Sequence, residues 1–92
     1  MITQGIYEHY KSMPEHRMYY QVLFLSHNEP DLEVLVHYVP LYKLREDKQT
    51  DDDIAVWTRT LKNFAETVEY NGKTVPRFTK ISSTIDTWVK RQ

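Results

Sequence analysis

The stretch EYNGKTVPRF, Glu69 to Phe78, decides how this chain folds. Asn71-Gly72 tolerates positive φ at both central positions of a two-residue loop, and the type I′ turn that results twists as a pair of antiparallel strands must. Thr67 to Tyr70 and Lys73 to Phe78 therefore read as the two arms of a hairpin. The register follows: Tyr70 faces Lys73, Glu69 faces Thr74, Val68 faces Val75, Thr67 faces Pro76 and Glu66 faces Arg77. Pro76 has no amide hydrogen, so it belongs at an edge where no further strand pairs. Arg77 is placed to meet Glu66 across the strands, a contact worth under ~1 kcal/mol when exposed. Phe78 is expected to pack under a helix at the C-terminus.

Working outward, the same alternation recurs upstream. Gly5 to Lys11 puts Ile6, Glu8 and Tyr10 on one face and Tyr7, His9 and Lys11 on the other. Tyr19 to Leu25 is apolar on both faces except at Gln21, which marks a central strand. After the turn-forming SHNEPD, Leu32 to Val39 continues with Leu32, Val34, Val36 and Tyr38 on one side. These three segments make a meander. Ile54 to Thr60 alternates again, and in LKNFAE the three-residue spacing of Leu61 and Phe64 suits a single helical turn. KLREDKQTDDD, Lys43 to Asp53, lacks hydrophobic periodicity and reads as a solvated loop. From about residue 83 to 91 the period changes: Ile85, Trp88 and Val89 form the stripe of an amphipathic helix. The expectation is one mainly β domain over 1–92, a small SH3-like barrel or strongly bent antiparallel sheet of five to six strands with one C-terminal helix.

Composition narrows the function classes. A chain of 92 residues is about one domain, and with no cysteine it has neither a disulfide framework nor a thiolate metal site. That usage suits a reducing compartment, and a cytoplasmic location is expected. The longest apolar runs fall far below the ~20 residues that span a bilayer, and the first residues lack the order of a signal peptide, so no membrane partner is expected. The formal net charge of -1 gives no global basic field, so nucleic-acid binding would need a local patch.

His9, His16, His27 and His37 have no metal-ligand spacing, and Asp51 to Asp53 lacks the alternation of a calcium loop, so neither metal nor cofactor is expected. No serine elbow or cysteine offers a nucleophile. His27 and Glu29, two apart on a turn, are the one acid–base pairing the sequence suggests. Two strand faces carry more: Tyr7 with His9, and Trp57 with Arg59, each set an aromatic beside a polar group. A guanidinium offers a planar fork to phosphate or carboxylate, and an indole offers a stacking face.

Taken in order, GIYEHYK, YQVL, HNEP, LVHY, LY, W-T-R, F-A-E-T-V and GKTVPRF-T-K-I resemble the small bacterial family catalogued as domain of unknown function 1653, from Gly5 to Ile81. The matching positions are Tyr7, His9, His27, Glu29, Tyr38, Tyr42, Trp57, Arg59, Pro76, Arg77 and Phe78. Thr58 and Thr60 stand where members of that family usually carry valine and proline, and Phe24 where they usually carry glycine. The resemblance implies no activity.

The candidate ligand-binding residues are Tyr7, His9, His27, Glu29, Tyr42, Trp57, Arg59 and Arg77, with no catalytic residue assigned. The expected function is non-catalytic recognition of a nucleotide or nucleic-acid-like planar anion in an aromatic and arginine-bearing groove. A protein–protein module using the same face or the Pro76 edge is the alternative, and a small enzyme built on His27 and Glu29 is a third reading. Oligomeric state is left open. Within the groove, Arg77 is expected to join Arg59 near Trp57.

Overall fold

The computed structural model describes residues 2–42 and 56–83. The polar loop of 43–53, the first residues of the fourth expected strand, and all but Ser83 of the expected terminal helix lie outside them. Seven strands and one short helix follow in the order β1 (Gly5–His9), β2 (Tyr19–His27), β3 (Val34–Pro40), β4 (Trp57–Thr60), α1 (Leu61–Phe64), β5 (Thr67–Tyr70), β6 (Lys73–Pro76) and β7 (Phe78–Ser82). The first four strands and β7 form one antiparallel sheet in the order β4-β3-β2-β1-β7, and β5 with β6 forms a two-stranded sheet. β2 is the central strand, as its two apolar faces predict. β4 and β7 end the five-stranded sheet without pairing to each other, so no closed barrel is found among the described residues. Nor is any described helix long and apolar enough to cross a membrane.

The hairpin has the predicted register at all four pairs from Tyr70↔Lys73 to Thr67↔Pro76. Asn71 has φ 53° and Gly72 φ 76°, the left-handed values a type I′ turn needs. Its second arm is shorter than expected. Pro76 cannot donate, the Arg77 amide turns to the Glu66 carbonyl oxygen at 3.0 Å, and Phe78 begins a separate strand on β1. One expected arm, Lys73 to Phe78, is thus two strands in two sheets, which is why seven strands replace five or six.

Other boundaries shift for local reasons. β1 stops at His9 rather than Lys11 because His9 captures the next free amides: its carbonyl oxygen accepts from Ser12 and its Nδ1 from Lys11. β3 starts at Val34 rather than Leu32 because Leu32 has φ 58° and cannot extend a strand. Between Val22 and Phe24 the β2–β3 register slips by one residue, so alternation holds on each side of the bulge but not across it.

One face of the larger sheet carries the core. Tyr7, Tyr20, Val22, Val36, Tyr38, Phe64 and Phe78 are buried together. Phe64, delivered by α1, lies parallel to Phe78 at 4.0 Å between ring centres and meets Tyr7 edge-on at 5.4 Å. Phe78 is therefore covered by Phe64 of α1; the terminal helix that the sequence placed over it lies outside the described residues. Each such ring contributes roughly 1.5–3 kcal/mol by leaving water.

Candidate functional site

Two arginines, one on β4 and one between β6 and β7, converge on one residue of α1. Arg59 stands on the core face of β4, opposite Val36, with its guanidinium carbon 5.4 Å from the centre of the Phe78 ring. Its Nε donates to the Tyr38 hydroxyl at 3.1 Å and its Nη1 to Asn63 Oδ1 at 2.7 Å. Arg77, at the break between β6 and β7, donates from Nε to the Asn63 backbone oxygen at 3.1 Å. Asn63 is held in turn by Thr60, whose hydroxyl accepts its amide at 3.1 Å as the cap of α1. Both guanidiniums are thus anchored on Asn63, Arg59 on its side chain and Arg77 on its backbone oxygen.

Their charges are unevenly met. Arg77 Nη2 lies 3.6 Å from Glu66 Oε2; the arginine side chain is 19% exposed and the glutamate 54%. No carboxylate meets Arg59 among the described residues, and its Nη2 has no acceptor there. Among the described residues, Arg77 alone of the two guanidiniums has a carboxylate partner, and that one is loosely held.

His9, at the end of β1, lies against the same rings: 5.0 Å from Phe78, 6.3 Å from Tyr20 and 4.6 Å from Tyr10, centre to centre. Burial, then the charges of Arg59, Lys11 and Arg77, lower its pKa from 6.5 to about 4. It is therefore neutral at pH 7. Because Nδ1 accepts the Lys11 amide at 3.1 Å, the ring hydrogen must be on Nε2. Tyr42 lies beyond, its hydroxyl bonded to that of Tyr20. Burial and that bond raise the Tyr20 pKa well above the usual tyrosine range, so it stays protonated.

The structure thus gathers His9, Tyr42, Arg59 and Arg77 from the candidate set and adds Tyr20, Tyr38, Asn63, Glu66 and Phe78. Trp57 is half-buried and edge-on to Tyr38 at 6.4 Å, and the ring under Arg59 is Phe78. Tyr7 is core: its hydroxyl accepts the Thr3 amide and donates to the Thr3 carbonyl oxygen. His27 and Glu29 stand apart. His9 is bonded to Met18, and His27 lies nine residues further along β2, roughly 25–30 Å of strand. His27 Nδ1 donates to the Leu32 carbonyl oxygen at 3.1 Å, and no hydrogen bond joins it to the exposed Glu29. Among the described residues no group of three or more histidine or acidic side chains is placed to hold a metal. Asn63 escaped notice because its role depends on a helical turn whose cap, Thr60, carries the only local signal of it.

A family described as "Protein of unknown function (DUF1653)" matches residues 5–80. The chain belongs to this family. A crystal structure of a DUF1653 protein from Bordetella bronchiseptica is similar to it at 28% identity, with a TM-score of 0.67 over 90% of this chain and 91% of that one. No curated protein matches the chain. DUF1653 carries no stated activity, so function rests on the geometry of Arg59, Arg77 and their surroundings.

Proposed function

We propose that this DUF1653 domain is a non-catalytic binding module for a planar anionic ligand of the nucleotide or nucleic-acid type, held between Arg59 and Arg77. The observation that carries the reading is their convergence on Asn63, with Glu66, beside Arg77, the one carboxylate paired with either guanidinium among the described residues. Anchored guanidiniums lose little conformational freedom when an anion arrives, and Arg59 Nη2 meets no acceptor among the described residues. The 3.6 Å contact of Arg77 with an exposed glutamate is weak enough to be exchanged for a phosphate oxygen. The half-buried rings of Trp57 and Tyr42 supply apolar surface for the flat part of such a ligand.

The test is calorimetric titration and thermal shift with adenosine monophosphate, single-stranded oligonucleotide and inorganic phosphate. The expected result is a raised melting temperature, affinity that falls steeply with salt, and at least a tenfold loss in Arg77→Gln with at most about 1 kcal/mol lost in stability. No response from any of the three, or a response that Arg77→Gln leaves intact, overturns the reading. Capture of a protein on this face with little salt dependence would favour the protein–protein alternative.

A further inference from the structure

His9 and the arginine site share one ring. His9 stands directly opposite Phe78 in the β1–β7 pairing, and its imidazole meets that ring edge-on at 5.0 Å. Arg59 holds its guanidinium carbon 5.4 Å from the centre of the same ring. Arg77 precedes Phe78 in the chain, and its carbonyl oxygen accepts the amide of Tyr10, the residue after His9, at 3.0 Å. A buried imidazole is thus held within the field of both guanidiniums.

The groups around His9 do nothing to favour a charge on it. Tyr10 and the Lys11 cation face it from the turn after β1, the protonated Tyr20 from β2, and the two arginines from β4 and from the break between β6 and β7. Glu8 is paired with Arg17 at 3.1 Å and Glu66 with Arg77 at 3.6 Å, and no carboxylate pairs with His9 among the described residues. Protonating His9 therefore sets a buried cation among three others. An anion lying on Arg59 and Arg77 would offset two of those three charges and leave the burial as it is.

We propose that anion binding at Arg59 and Arg77 is coupled to protonation of His9, so that the site takes up part of a proton with its anion and holds the anion more tightly in acid. This rests on the anion reading given above and adds the regulation of that site. The coupling runs both ways: what the anion does to the protonation of His9, the His9 proton does to the affinity. Because burial persists, His9 with the anion in place should titrate above about 4 and still below the 6.5 of an ordinary histidine.

The experiment is calorimetric and NMR titration of the full chain with sodium sulfate at pH 5 and pH 7, at constant ionic strength. Sulfate is a dianion throughout that range, so any change in affinity belongs to the protein. Affinity should be at least about twofold higher at pH 5. Binding at pH 5 should take up a fraction of a proton, read from the heats in two buffers, and the ring hydrogens of His9 should titrate at higher pH with sulfate than without. His9→Phe should lose that gain in acid. Arg59→Gln, which removes one of the cations, should raise the pH at which His9 titrates with no anion present. Sulfate binding that leaves the His9 titration where it was, a gain kept in full by His9→Phe, or an Arg59→Gln chain with unmoved His9 overturns the coupling and leaves the anion reading standing. If adenosine monophosphate binds and sulfate does not, the coupling alone fails; if neither binds, both fail. Should His9→Phe not fold, the His9 titration of the native chain with and without sulfate decides it.

Discussion

His9 shows at the scale of one residue how position changes chemistry. An ordinary histidine titrates at 6.5, whereas this one is held at about 4, first by burial and then by three cations. Between those values the unfolded chain takes up a proton that the folded chain refuses, so acid favours unfolding. Stability should fall as pH drops from about 6.5 towards 4, with this group costing about 2 kcal/mol at pH 5 relative to pH 7. Urea denaturation at pH 7 and pH 5 measures it, and His9→Phe should lack that share of the decline. Gly5 is constrained differently. It has φ +148°, and a Cβ there would lie 2.5 Å from the Ser82 carbonyl oxygen. Gly5→Ala must push β7 away or strain β1, and should cost at least about 2 kcal/mol in chemical denaturation.

At the scale of elements, α1 matters more than its four residues suggest. So short a helix has no stability of its own and stands on its Thr60 cap and on the burial of Phe64. The cap also orients Asn63, on which Arg59 and Arg77 both rest. Thr60→Val keeps the shape of the side chain and removes the acceptor. It should cost about 1 kcal/mol of stability and weaken any anion bound by the arginines by more than that loss explains, because both guanidiniums lose their anchor. Equal affinity in Thr60→Val and the native chain, read by calorimetry, would show that the arginines hold their positions without it.

For the molecule as a whole, Phe64 ties the helix to the main sheet through Phe78, Tyr7 and Tyr38, and Phe78 is chain-adjacent to Arg77 and beneath Arg59. Phe64→Ala should cost about 3–5 kcal/mol, a large part of the stability of a domain this size, and thermal denaturation would show it as a lowered melting temperature. Much of this architecture was legible beforehand. The hairpin, its register, the central place of β2 and the shared faces of Tyr7 with His9 and Trp57 with Arg59 all follow from short-range patterns. A two-residue turn permits few backbone angles, and the period of a strand assigns its faces. What those faces meet was not legible in the same way.

By itself, then, the sequence determined the strands, the turn and the pairing across it, because each depends on φ, ψ and the period of neighbouring side chains. Tertiary structure alone decided that Phe78 leaves the hairpin for β1, that Asn63 joins two arginines, and that His9 stays neutral. The physical reason is that these outcomes are set by desolvation and by hydrogen bonds that must be satisfied between residues far apart in the chain, and no local pattern records which buried donor will find which acceptor.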